Sequence, residues 1–199
     1  MALLGTFAHK CGKRGLKDLS RPWIVLSFFL LARAPESHAQ ALAPAEYQLK
    51  AVFLFNFAQF VEWPPEAFQG SHAPLIIGVL GEDPFGVYLD ETVRGEKVND
   101  RPLVVQRYRR IDEMKACHIL FISRSEANQL EPIITSLKGR HILTVGDAVG
   151  FAQRGGIIRF VTEKNKIRLR INLEAAKAAH LTISSKLLRP ADIVAPGKD

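Results

Sequence analysis

Residues 75–86 read LIIGVLGEDPFG: six apolar or small residues in a row, then glycine, two acids and a Pro-Phe-Gly turn signal. A strand with one wet face alternates apolar and polar residues. A continuous apolar run fits a strand covered on both faces, as in a parallel sheet. Similar short runs follow at Leu103–Arg107, His118–Ile122 and Ile142–Val145. Helical stretches separate them at Pro84–Thr92, at Glu126–Leu137 with a restart at Pro132, and at Asp147–Gln153. This alternation predicts an α/β fold: a single compact domain with a mainly parallel sheet flanked by helices.

Further along, GGIIRFVTEKNKIRLRINL changes the rhythm to alternation. Ile157–Thr162 and Lys166–Ile171 read as a C-terminal β-hairpin around Glu163-Lys164-Asn165. Leu173–His180 reads as a closing helix capped by Asn172. On the other side, Glu46–Trp63 (EYQLKAVFLFNFAQFVEW) lacks Gly and Pro and stops at Pro64-Pro65, which predicts one long helix. Leu49, Phe53, Phe57 and Phe60 form one helical series, and Lys50, Leu54, Ala58 and Val61 another. Val52 and Phe55 widen the apolar surface beyond one stripe, so the helix needs cover on more than one side. Burial inside its own domain is one reading. A dimer or partner face made by Phe53, Phe55, Phe57 and Phe60 is the other.

The first 39 residues read as a signal peptide. Lys10, Lys13, Arg14, Lys17 and Arg21 form a basic start, Trp23–Ala32 an apolar core, and Ser37-His38-Ala39 a cleavage site after Ala39. The apolar core is well short of the ~20 residues that span a bilayer. Residues 40–199 are then the exported, soluble domain. Of the chain's 27 Lys/Arg and 20 Asp/Glu, the leader holds six and two, which leaves the domain at +3. That is too little to imply nucleic acid. The basic clusters Gln106–Arg110 and Lys166–Arg170 read as solvated faces or strand edges, with an anion or acidic-partner site as the alternative. Outside the leader only Cys117 remains, at the head of an apolar run, where a small buried hydrophobe is expected.

Ligands of parallel α/β sheets sit beyond the carboxyl ends of the strands. The candidate binding residues are therefore Gly81, Asp83 and Phe85 after the first strand, Ser123 and Ser125 after the third, and Gly146 and Asp147 after the fourth. Ordinary helix starts account for the same residues: Asp83 before Pro84 as a cap with Pro at the first position, and Ser123 with Glu126 as a capping box. LGEDPFG matches neither a dinucleotide fingerprint nor a P-loop, and its acids would repel phosphate. His72, His118, His141 and His180 are too scattered to suggest a metal centre. Ser184-Ser185-Lys186 lacks the S-x-x-K spacing of a catalytic pair. It reads as a structural clasp, with Ile183, Leu187 and Leu188 packing and the serines bonding to nearby backbone. No catalytic residue, metal or cofactor is expected.

Taken together, EYQLKAVFLFNFAQFVEWP, IIGVLGEDPFG, GRHILTVGD and GGIIRFVTEKNKIRLRINLEAAKAAHLTISSKLLRPADIV resemble the YfiR-like family. The resemblance implies a compact α/β domain, typically a homodimer, acting as a periplasmic regulator rather than a catalyst. Its implied partner is the periplasmic sensor domain of an inner-membrane diguanylate cyclase, whose cyclic-di-GMP output, and with it biofilm formation, it holds down. An OmpA-type outer-membrane lipoprotein is implied as a sequestering partner. Redox control through paired cysteines, where the family uses it, has no second thiol within this monomer besides Cys117. A small-molecule-binding module resembling one lobe of a solute-binding protein is the alternative.

Overall fold

LIIGVL forms a strand in which all six residues are buried. The computed structural model describes residues 45–164, 166–195 and 197. The leader and its cleavage point lie outside them, as does Asn165 of the hairpin turn. In order, the elements are α1 (Ala45–Phe60), β1 (Val61–Glu62), β2 (Leu75–Leu80), α2 (Val87–Val93), β3 (Lys97–Val98), β4 (Arg101–Tyr108), β5 (Ile119–Ile122) and α3 (Leu130–Ser136). Then follow β6 (Leu143–Gly146), β7 (Ile158–Glu163), β8 (Lys166–Ile171), α4 (Leu173–Ala178), β9 (Thr182–Ile183), α5 (Ser185–Leu188) and β10 (Asp192–Ile193).

The main sheet runs β10-β8-β7-β6-β5-β2-β4-β3. Neighbours from β4 through β2, β5 and β6 to β7 are parallel, whereas β7–β8 is the expected antiparallel hairpin. The period-2 geometry of strands sends alternate side chains to opposite faces. Ile77, Val79, Ile119, Phe121, Leu143 and Val145 pack with α1, α2 and α4 on one face. Leu80, Leu120 and Ile122 pack with Leu130 and Ile133 of α3 on the other. Two covered faces are why the central strands have no polar phase.

Four expectations change. Helix α1 stops at Phe60 because Val61 and Glu62 turn extended and pair antiparallel with Ile183 and Thr182. The helix after β2 starts at Val87, not Pro84. Asp83 Oδ1 accepts from the Phe85 N–H at 2.8 Å, closing a local turn, and Gly86 precedes the helix at φ 56°. Ser123 accepts from the Ser125 N–H as a cap, but Glu126 takes its bond from the Ser125 hydroxyl, so the capping box is not reciprocal. Residues 147–153 make turns rather than a helix, with Gly150 at φ 71° and Gly155 at φ 100° breaking the helical path.

Cys117 is buried against Gly78 and donates to the Ile119 carbonyl at 3.1 Å. Burial pushes its thiol up to about 12, so thiolate chemistry is suppressed. In the clasp, the Ser184 N–H donates to the Phe60 carbonyl at 2.8 Å and its Oγ accepts from the Lys186 N–H. That makes Ser184 the capping hydroxyl, while Lys186 stays exposed.

Next to Cys117, His118 locks the 63–76 segment. Its Nδ1 accepts from the Ile76 N–H at 3.0 Å, which leaves Nε2 to donate to the Ala67 carbonyl 3.1 Å away. Phe68 stacks on the imidazole at 4.4 Å, and Arg101 lies over Phe68. Desolvation by burial holds the His118 pKa below its ordinary value, against the opposing pull of the Ala67 bond. Below about pH 6.5 the unfolded chain therefore takes up this proton before the folded one does. Stability from this site is complete above that pH and is lost as pH falls toward the folded pKa. Urea midpoints at pH 7.5 and pH 5 should show the drop in the wild type and a shallower one in His118→Gln; parallel slopes would contradict this account.

Candidate functional site

The loops after β2 and β5 meet at the carboxyl edge of the sheet, where the strand order reverses, and they bond to one another there. The Glu82 N–H donates to Ser125 Oγ at 3.0 Å, and Ser125 in turn donates to Glu126. Gly81 at φ 87° makes this approach possible, since a Cβ would overlap Ser125 Oγ and Glu126. Asp83 is engaged by Arg107, which also grips Asp90 and the Gly86 carbonyl. Phe85 is fully buried, edge-on to both Tyr47 and Phe121. Of the seven loop residues proposed from sequence, Gly81 and Ser125 join the two loops, Ser123 caps its own loop, Asp83 binds Arg107 of β4, and Phe85 is core.

Asp147 is different. It leaves the end of β6 and is buried under the first turns of α1. Lys50 sits in register with Leu54, Ala58 and Val61, so the helix carries it inward with the apolar series. There Nζ lies 2.5 Å from Asp147 Oδ2 and 2.6 Å from Glu46 Oε1, with no exposed side-chain surface. The Tyr47 hydroxyl donates to the same Oδ2 at 2.9 Å, and the tyrosine ring faces the ammonium at 4.2 Å. Burial, then the bond to Asp147, raises the Tyr47 phenol to about 12. The Lys50 bond chiefly, with Thr162 adding to it, holds the Glu46 carboxyl below its usual range.

Arg124, from the loop after β5, reaches Asp147 Oδ1 through Nε at 3.1 Å. Beyond this pair the surface sinks into a cavity of about 710 Å3, walled among others by Arg124, Asn128, Arg154, Arg159 and Phe160. The candidate ligand position therefore lies two strands from the reversal point, between β6, β7 and the start of α1. Gly146 sits beside it with Phe151 packed against its α-carbon. Chemically, the cluster fastens α1 to the sheet and fixes Arg124; each carboxylate is already met by a cation. Among the described residues, no three His, Cys, Asp or Glu side chains are placed to hold a metal ion.

Phe53 and Phe57 pack on Phe160 of β7, Phe57 with no exposed surface. Phe55 and Phe60 are half-buried against the same core. The apolar surface that α1 does leave in the open is Leu49 and Val52. Sequence reasoning passed over Lys50, Glu46, Tyr47 and Arg124 as site residues. The available signal was a lysine inside an otherwise apolar helical series, four residues after a glutamate.

With this geometry in place, the model of the YfiR/HmsC-like family matches residues 47–192. The chain belongs to the YfiR/HmsC-like family. The matched span takes in both halves of the Lys50–Asp147 cluster and the clasp at Ser184. The family is one of periplasmic regulators of the diguanylate cyclase pathway, and among the described residues no helix is long and apolar enough to cross a membrane. No curated protein matches the chain. Among solved structures, the chain is similar to the ABC domain in complex with L-Trp from Streptococcus pneumonia, at 12% identity and a TM-score of 0.46. The similarity covers 74% of this chain, which spans only 60% of that one.

Proposed function

We propose that this YfiR/HmsC-like protein is a non-catalytic regulator that binds the periplasmic sensor domain of an inner-membrane diguanylate cyclase and holds its synthesis of cyclic-di-GMP down. Family membership across residues 47–192 carries the reading. The mature protein begins after Ala39, acts as a homodimer, and is relieved of its partner by an OmpA-type outer-membrane lipoprotein. Binding only the inactive sensor is enough to shift the cyclase equilibrium, by the difference in affinity between its two states. The partner face centres on α1, where Leu49 and Val52 are exposed beside the half-buried Phe53, Phe55 and Phe60. Co-purification with a neighbouring membrane cyclase, together with a rise in cellular cyclic-di-GMP on deletion of the gene, is the expected result. Absence of both would sink the proposal.

A second reading, small-molecule binding, is favoured by the cavity beside Asp147. Its volume lies in the range of about 300–1,000 Å3 that ligand pockets occupy. The two readings are compatible, with a ligand tuning repression.

A further inference from the structure

We infer that the cavity beside Asp147 binds a small organic oxyanion, a carboxylate or phosphate on an apolar body, and that Arg124 grips the charged end. The inference deepens the small-molecule reading and rests on it.

Arg124 carries the argument. Its side chain is 61% exposed, and its Nε faces Asp147 Oδ1 at 3.1 Å. Asp147 Oδ1 is buried without an aligned hydrogen bond, so the pair is an ion pair that orients the guanidinium without occupying its fork. Among the described residues nothing hydrogen-bonds the terminal Nη1–Nη2 edge, which suits a planar oxyanion, the geometry in which arginine exceeds lysine. Asp147 cannot turn toward a ligand, because Lys50 and Tyr47 fix its other oxygen from behind.

The rest of the wall suits such a ligand. Glu46 and Asp147, the two acids lining it, are balanced by Lys50 and Arg124 together, so their repulsion toward an anion is offset. Arg159 approaches from β7, while Arg154, also in the wall, is already held by Glu131 and the Ala127 carbonyl. Val149, 76% exposed at the rim, and Phe160 supply an apolar flank. An isolated exposed valine needs no explanation. One beside a ring and an arginine fork matches a ligand with an apolar body.

The test uses the purified protein with benzoate, phenyl phosphate, inorganic phosphate and the neutral analogue benzamide, followed by calorimetric titration and thermal shift. Benzoate and phenyl phosphate should bind and compete with each other. Benzamide and inorganic phosphate should bind at least about tenfold more weakly, the loss expected when a charged hydrogen-bond partner or the apolar contact is removed. Arg124→Gln should lose benzoate affinity by about tenfold or more. Val149→Asp places a like charge at the rim without touching any ion pair and should weaken both anions in a protein that melts as the wild type does. Equal binding of benzamide would keep a ligand pocket but overturn the oxyanion. Equal binding of inorganic phosphate would overturn the apolar body. Unchanged benzoate affinity in both variants would overturn the location. No binding by any probe would overturn the inference and the small-molecule reading together.

Discussion

Lys50→Met is expected to lower the unfolding free energy by about 3–5 kcal/mol, the usual cost of removing one partner from a buried ion pair. The lysine has no exposed side-chain surface and Asp147 has almost none, so water cannot replace the lost cation. Met fills the volume of the Lys50 stem. What it leaves behind is a buried carboxylate served by the Tyr47 hydroxyl and, from the solvent side, by Arg124. The double variant Lys50→Met/Asp147→Leu should recover most of the loss, because a well-packed apolar pair often equals or exceeds a buried ion pair in stability. Urea unfolding of the two singles and the double gives the coupling directly. A Lys50→Met loss below about 1 kcal/mol, or a double no better than the single, would show that the cluster is not the anchor of α1.

Gly156→Ala is expected to cost about 1–3 kcal/mol or more by overpacking, although it is one of the smallest changes a protein can receive. The Phe151 ring lies between Gly146 and Gly156: a Cβ on Gly146 would come 2.5 Å from the ring, and one on Gly156 closer still. Phe151 is fully buried and belongs to the α3-side core, so it cannot move aside into solvent. The 147–156 loop has no helix to hold it, and this ring is one of its fastenings, beside the Asp147 cluster and the Asn172 amide donating to the Ala152 carbonyl at 2.8 Å. Phe151→Leu should be destabilising alone but should soften the Gly156→Ala penalty, a non-additivity measurable by thermal unfolding of the four proteins. Strict additivity would mean that the glycine matters for some reason other than the ring.

These two cases mark what the sequence made legible. The parallel sheet was readable because LIIGVL and ILFI are buried on both faces, which leaves no polar phase and excludes an exposed sheet. The hairpin was readable from the alternation in IRFVTE and KIRLRI. The β1–β9 and β10 pairings were not, because two-residue strands carry no period; tertiary contact alone makes Val61 extended instead of helical. At the candidate site, Asp147 was reachable through the rule that strand ends bind ligands. Its partners were not, since Lys50 lies 97 residues earlier and a helical lysine ordinarily faces solvent. At the point where strand order reverses, Gly81 lets Ser125 and Glu126 approach the first loop, a contact between loops that no motif announces.

The β1–β9 ribbon and the Lys50–Asp147 anchor together fix an order of events. Helix α1 is the first described element to leave the ribosome, yet its partners lie far along the chain: 97 residues away for Lys50 and Asp147, 116 for Glu46 and Thr162. Contacts of such separation carry their loop-closure cost before they return any stability, which places them late and makes folding slow. The N-terminal helix can meet α2 and Phe85 early, but its ion-pair anchor and the Phe160 ring wait until the C-terminal third has emerged. The chain completes its fold by drawing its two ends together, and until that moment the side of α1 that bears Phe53 and Phe57 lacks the Phe160 ring that covers it, the interval in which aggregation competes with folding.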